Sequence, residues 1–306
     1  LERYAALLAE TRELQQAAYR EAAARIAGAG APVVFNSLPW ERENWVEWNG
    51  ERRLVRVPGM GAVALADAVA RPAGDGVEEL RAGGAMLENG RLRVAFAEDG
   101  SLASVYDKAA GREALRPGGG GGNVLTVYHD DGDAWDFPRD YREAVAGRMR
   151  LESVEYAVRG CRAVAEQTYR FGESTLKLTV SLAAGGDIVE FAADADWRES
   201  AKMLRTSFDT SVVSDTVNCE IQFGYLKRKT TRNTLEEMAR DEICAHRYID
   251  LSQPDYGVAL LNDCKYGHRA EGSTLDLNLL RSPSYPDPMA DRARHEFRYA
   301  LLPHEG

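Results

Sequence analysis

A mainly β chain is the fold class that this sequence predicts: one large antiparallel β-sandwich, preceded by a small β unit and a single N-terminal helix. Three observations lead there. Residues 1 to 27 carry the one long stretch of helical periodicity. From Pro32 onward, apolar residues recur in alternation, which is the period of strands half-buried in antiparallel sheets. Turn signals such as Asp99-Gly100 separate these runs. Many strands with one terminal helix make a sandwich rather than an α/β layer fold.

In the first element, Tyr4, Leu7, Leu8, Thr11, Leu14, Ala18, Ala22 and Ile26 recur at three- and four-residue steps. Gly28 and Gly30 end it ahead of Pro32. The pattern is already running at Leu1, so the expectation is a final helix of a bundle cut from a longer protein, occupying residues 1–30. Val33 to Asn36 then enters the β region, and Trp45, Val46 and Trp48 continue it. Ala70 to Gly84 is rich in Gly, Pro and acidic residues and reads as a linker, so residues 31–84 form a small β unit with its linker.

Residues 85–306 are then the sandwich. Leu92, Val94 and Phe96 lead into the Asp99-Gly100 hairpin signal and on to Leu102 and Val105. Leu176, Leu178, Val180 and Leu182 alternate with polar residues, and Val189, Phe191, Ala193, Ala195 and Trp197 repeat the pattern. The run Gly118 to Gly122 reads as a flexible surface loop; no Lys-Ser/Thr pair follows, which excludes a P-loop.

Composition narrows the function classes. The 306 residues are 44% hydrophobic, enough to fill a sizeable core, and 38 basic against 48 acidic residues leave a formal charge of −10. That balance argues against nucleic acid as a partner. No run of about 18 apolar residues is present, so nothing spans a membrane, and no secretion leader opens the chain. Cys161, Cys219, Cys244 and Cys264 form no C-x-x-C pair and fit a reducing cytoplasm, with one or two disulfides left open. The five histidines form no H-E-x-x-H, so no self-contained zinc site is expected. His295 reads as a hydrogen-bonded structural imidazole. Glu236 and Glu237 read as the first turn of a short helix.

Two stretches carry chemistry. Leu275, Leu277 and Leu279 alternate with Asp276 and Asn278, predicting a half-buried strand that ends on Arg281. Pro283, Pro286 and Pro288 forbid continuation of the ladder. A cationic fork is thereby held at the mouth of a sheet beside a stiff loop with Tyr285, Asp287, Asp291 and His295, a setting that suits a carboxylate or a polyol. The second stretch, His129-Asp130-Asp131-Gly132-Asp133-Ala134-Trp135-Asp136-Phe137, surrounds an indole with carboxylates. It has three readings: a sugar site, a solvated acidic loop anchored by one buried Trp, or a calcium loop.

The wording of several segments resembles glycoside hydrolase family 38, the α-mannosidases, and most of all the bacterial and cytosolic-type branch. These are VVFNSLPWER at Val33, LENGRLRVAFAEDGSLASVYDKAAGRE at Leu87, GNVLTVYHDDGDAWDF at Gly122, FGYLKRKTTRNT at Phe223, EICAHRYIDLS at Glu242, DYGVALLNDCKYG at Asp255 and LLRSPSYPDP at Leu279. They cover nearly the whole chain in the family's order. The resemblance implies a galactose-mutarotase-like supersandwich lying C-terminal to a β/α barrel and a helical bundle. It implies a retaining, zinc-dependent hydrolase of terminal α-mannosides, in a cytoplasmic setting. The nucleophile and the zinc ligands of such an enzyme lie in the barrel and at the start of the bundle, including a His-His-Asp segment that this chain lacks. No catalytic or metal residue is therefore carried over, and this chain alone is expected to bind no zinc.

Four residues are carried over as substrate-proximal candidates: Arg281 at the strand end, and Asp133, Trp135 and Asp136 on the D-A-W-D loop. His129-Asp130-Asp131-Gly132 departs from the family's D-x-P lead-in. The partners implied are an α-mannoside oligosaccharide and the barrel and bundle of the same protein. Two other classes compete: a stand-alone carbohydrate-binding sandwich, which has no need for an unpaired amphipathic helix, and a mutarotase-like epimerase, which needs a His and a Glu converging on an open cleft.

Overall fold

A computed structural model describes residues 2–28, 30–67, 80–240 and 242–306, and the counts below are of these. The chain divides into two compact units, Leu1–Val77 and Glu78–Gly306.

In the first unit, the helix Glu2–Ala27 ends where Gly28 turns to φ +84. None of its residues is buried; Tyr4, Leu7, Leu8 and Leu14 stay exposed, and Tyr19 meets Phe35 ring to ring at 5.2 Å. Strand Val33–Asn36 pairs antiparallel with Gly61–Ala64, and Arg42–Trp48 pairs with Glu51–Val57. The second hairpin closes through Asn49 and Gly50, both at positive φ, which matches the twist of a two-residue turn. Val55, Val57 and Leu65 form a small core of its own.

The second unit is a sandwich of two antiparallel sheets. One runs Ile243–Cys244, Gly267–Glu271, Thr274–Arg281, Lys202–Asp209, Gly122–His129, Leu102–Asp107, Leu92–Phe96, Met86–Glu88, Arg81–Gly83, with two short strands attached to make eleven. The other has nine: Arg150–Arg159, Arg162–Phe171, Ser174–Ala183, Val189–Asp196, Arg294–His304, Tyr256–Asn262, Tyr248–Gln253, Thr216–Ile221, Gly224–Lys229. Alternation decides what meets between them. Leu92, Val94, Leu102 and Val105 from one sheet share a single core with Leu176, Leu178, Val180, Phe191 and Leu301 from the other. Phe191 stacks on Tyr299 at 4.7 Å and meets Phe208 of the opposite sheet at 5.8 Å. The Tyr299 hydroxyl donates to Asn123 Oδ1 at 2.6 Å, tying the sheets together through a buried polar bond.

Several expectations need correction. Arg81–Gly83, the end of the stretch read as a linker, is a strand that pairs with Met86–Glu88 across Gly84 and Ala85, both at positive φ. Residues 70–79 of that stretch lie outside the described residues. The glycine run is exposed over Gly118–Gly120 but anchored: Asp209 Oδ2 accepts from Gly120 N, and Gly122 already belongs to a strand. Strand Thr274–Arg281 is buried on both faces, because Asp276 lies beneath the guanidinium of Arg205. Glu236 and Glu237 do open a short helix, Leu235–Ala239, capped by the Thr234 side chain. His295 Nε2 lies 2.7 Å from the Asp291 carbonyl oxygen, as a structural imidazole should.

Candidate functional site

Strands Thr274–Arg281 and Gly122–His129 flank Lys202–Asp209 on its two sides. In register, Arg281 stands opposite Met203 and His129 opposite Lys202, so both flanking strands end at the same rim of the sheet. Strands two apart are separated by about 10 Å, a span that an extended Arg and an Asp side chain close between them. Arg281 and Asp130 close it. Its Nε donates to Asp130 Oδ2 at 2.5 Å and its Nη2 to Asp130 Oδ1 at 3.1 Å, a bidentate fork. Asp130 is fully buried, and its backbone N–H donates to the Ala201 carbonyl at 3.0 Å.

The same Nη2 also donates to the Asp136 carbonyl at 2.5 Å, and the guanidinium lies 4.7 Å from the centre of the Phe137 ring. Arg281 therefore folds the acidic loop over itself. Gly132 makes that possible: a Cβ there would run into the Asp136 carbonyl and the Phe137 Cα. Within the loop, Asp133 Oδ1 accepts from the backbone N–H groups of Trp135 at 2.8 Å and Asp136 at 2.9 Å. Those bonds, first to Trp135 and then to Asp136, hold its carboxyl below the usual carboxylate range. Asp136 Oδ1 accepts from the Phe137 N–H at 2.8 Å.

Ser282, next to Arg281, is pinned from the other sheet: the buried Trp197 donates its indole N–H to Ser282 Oγ at 3.0 Å. The proline-rich loop then returns to the acidic one, where Ala134 N–H donates to the Tyr285 carbonyl at 2.9 Å. The outcome is two outward-facing rings. Trp135 is 74% exposed and Tyr285 63% exposed, their centroids 6.3 Å apart and their planes tilted by 58°.

All four candidates thus come to one rim, with unequal duties. Arg281 and the Asp133 carboxylate organise the loop, Asp136 contributes a carbonyl, and Trp135 is displayed. The reading of the loop as anchored by a buried Trp is corrected: its anchor is the Asp130–Arg281 pair, and the indole is free. Asp130 was missed as an anchor. The only local signal was its place at the end of an apolar run, Val124 to Tyr128, ahead of the turn. Tyr285 stood in the sequence on a stiff loop, without a sign that it would meet Trp135.

Residues 87–289, which include both loops, match the family model for the glycosyl hydrolases family 38 C-terminal domain. The chain belongs to glycoside hydrolase family 38. Human alpha-mannosidase 2C1 is 37% identical over 93% of this chain, and alpha-mannosidase G of Dictyostelium discoideum is 33% identical over 73% of it. The chain spans 29% and 21% of the lengths of these two relatives. An alpha-mannosidase from Enterococcus faecalis V583 shares the fold, with a TM-score of 0.66 over 91% of this chain and 37% of that one, at 13% identity. This family 38 chain matches part of each of those proteins, and the family model it matches is that of a C-terminal domain. Among its described residues, no three His, Cys, Asp or Glu side chains converge as a metal site, and no helix is long and apolar enough to cross a membrane.

Proposed function

We propose that this chain is the C-terminal β-sandwich region of a retaining, zinc-dependent α-mannosidase that hydrolyses terminal α-mannosides. In this reading the zinc and the nucleophile belong to a barrel and the start of a helical bundle outside the chain, and an α-mannoside oligosaccharide is the substrate. The sandwich supplies a wall of the sugar pocket. Trp135, with Tyr285 beside it, offers an apolar ring face to a pyranose, and Arg281 and the Asp133–Asp136 turn hold that face still. A cytoplasmic setting belongs to the same reading and is supported by the exposed free thiols of Cys244 and Cys264.

One observation carries the site: the buried Asp130–Arg281 pair clamps a loop whose aromatic residue points to solvent. Trp135 and Tyr285 stand side by side in solvent, and together they form the kind of aromatic surface that a sugar platform uses. The test is an aryl α-mannoside assay of the longer protein that carries this region, with and without added zinc after chelation. Zinc-restored turnover with net retention at the anomeric carbon supports the reading. Turnover indifferent to chelation, or inversion, overturns the zinc or the retaining part of it.

A further inference from the structure

Beneath the acidic loop lies a second set of charges that the sugar reading does not use. Arg205 is only 1% exposed, on the outer face of the eleven-stranded sheet. Its Nε donates to Asp276 and its Nη1 to Glu242 Oε2 at 3.0 Å. Glu242 comes from far along the chain, between the short helix Leu235–Ala239 and strand Ile243–Cys244. Its other oxygen, Oε1, accepts from the Tyr141 hydroxyl at 2.6 Å.

Tyr141 is buried in the single turn that follows the loop. Its ring meets the Arg205 guanidinium at 5.3 Å, Tyr128 at 5.3 Å and Phe137 at 5.4 Å. Phe137 in turn carries the Arg281 guanidinium on its ring at 4.7 Å. An unbroken line of contacts therefore runs from Glu242 through Tyr141 and Phe137 to Arg281.

We propose that Glu242 is a positioning residue of the candidate sugar site: one carboxylate oxygen holds Arg205, the other holds Tyr141, and Tyr141 seats the Phe137 end of the loop that displays Trp135. The proposal rests on the reading of that loop as a sugar wall. Burying a carboxylate, a guanidinium and a phenol together is costly unless every partner is correctly placed. An apolar trio of similar volume fills the same space without that demand. What the polar set adds is direction. The Tyr141 hydroxyl has one acceptor, so its ring has one seat, and the Phe137 ring packs edge-on against it at 77°.

Hydrogen–deuterium exchange over residues 131–137 tests the latch in the chain itself. Tyr141→Phe keeps the ring and removes only the hydroxyl, so it is the variant least able to disturb folding. It is expected to speed exchange of these amides by about tenfold, the scale of a lost hydrogen bond to a charged acceptor. Glu242→Ala is expected to do the same, the double variant no more than the larger single, and Glu242→Gln, which keeps an acceptor for Tyr141, to restore most of the protection. Exchange over 131–137 unchanged in Tyr141→Phe, or raised equally across both sheets, overturns the latch. A second arm reads the sugar: in the longer protein, Glu242→Ala is expected to raise KM for an aryl α-mannoside about tenfold with kcat within twofold, as for lost uniform binding. With exchange raised and KM unmoved, the latch stands and the sugar reading of the loop falls. With exchange unmoved, the latch falls whatever KM does.

Discussion

Arg281 and Asp130 stand 151 positions apart in the sequence, yet their side chains close in a bidentate pair, Nε to Oδ2 at 2.5 Å and Nη2 to Oδ1 at 3.1 Å. Asp130 is fully buried and Arg281 largely so. Breaking such a pair strips the buried Asp130 carboxylate of its cation and leaves it only the Gly132 N–H at 3.1 Å, at about 3–5 kcal/mol. Asp130→Ala is expected to lower the stability of the sandwich on that scale in urea unfolding. Arg281→Ala is expected to do likewise and, in the longer protein, to cost about 2–4 kcal/mol in kcat/KM. A loss below about 1 kcal/mol in both variants marks the pair as no more than a surface ion pair.

Gly132→Ala tests the close approach of the loop to its anchor. The added methyl meets backbone on one side and Arg281 Nη2, at 2.8 Å, on the other. Overpacking of this kind costs about 1–3 kcal/mol. Faster exchange confined to residues 131–137, with the strands unaffected, is the expected signature.

A pH dependence follows from His304. Its Nε2 lies 3.0 Å from Asp250 Oδ1 and its Nδ1 2.8 Å from the Glu305 carbonyl, so both nitrogens face acceptors. The bond to Asp250 raises its pKa above the ordinary 6.5. Burial raises the Asp250 carboxyl, but hydrogen bonds from His304, Asn218 and Ser252 outweigh it and hold the pKa below 3.8. A raised histidine gives stability that is complete below its unfolded value and lost as pH climbs through the folded one. A depressed aspartate gives stability present above its unfolded value and lost as pH falls through the folded one. The pair's contribution is therefore fullest between about pH 4 and 6.5. Tm is expected to decline as pH rises above that window, and His304→Gln to flatten the decline; an unchanged slope in the variant contradicts the assignment.

The chain by itself is expected to hydrolyse no aryl α-mannoside, with or without zinc. In the proposed reading the nucleophile and the zinc lie outside the chain; its acidic loop engages Asp130 and Asp133 in its own structure. Zinc-dependent turnover by the purified chain, absent from a buffer-matched control, contradicts this.

How far the sequence could be read depended on the range of each signal. Alternation at Leu176 to Leu182 is local, and so is the proline stop after Arg281; both foretold a strand and its end. The meeting of Arg281 with the D-A-W-D loop was legible only in outline, as two places suited to a polyol. Asp130 was hidden because its burial depends on the Ala201 carbonyl and on Arg281, both distant in sequence. Asp276 misled in the same way. In alternation it reads as solvent-facing, but Arg205, 71 positions away, covers it. Trp135 inverted a sound prior, since an indole among carboxylates more often buries itself as an anchor than stands in water.

The most direct test of the central claim is kcat/KM for an aryl α-mannoside in the longer protein carrying Trp135→Ala. The indole is exposed, so its removal is expected to leave stability within about 0.5 kcal/mol. If it forms a wall of the sugar pocket, kcat/KM falls by about tenfold or more, the value of a lost aromatic face and the apolar area it covers. If kcat/KM stays within twofold of the parent, the rim of Arg281, Trp135 and Tyr285 does not reach the sugar, and the site assignment is wrong even though the chain belongs to family 38.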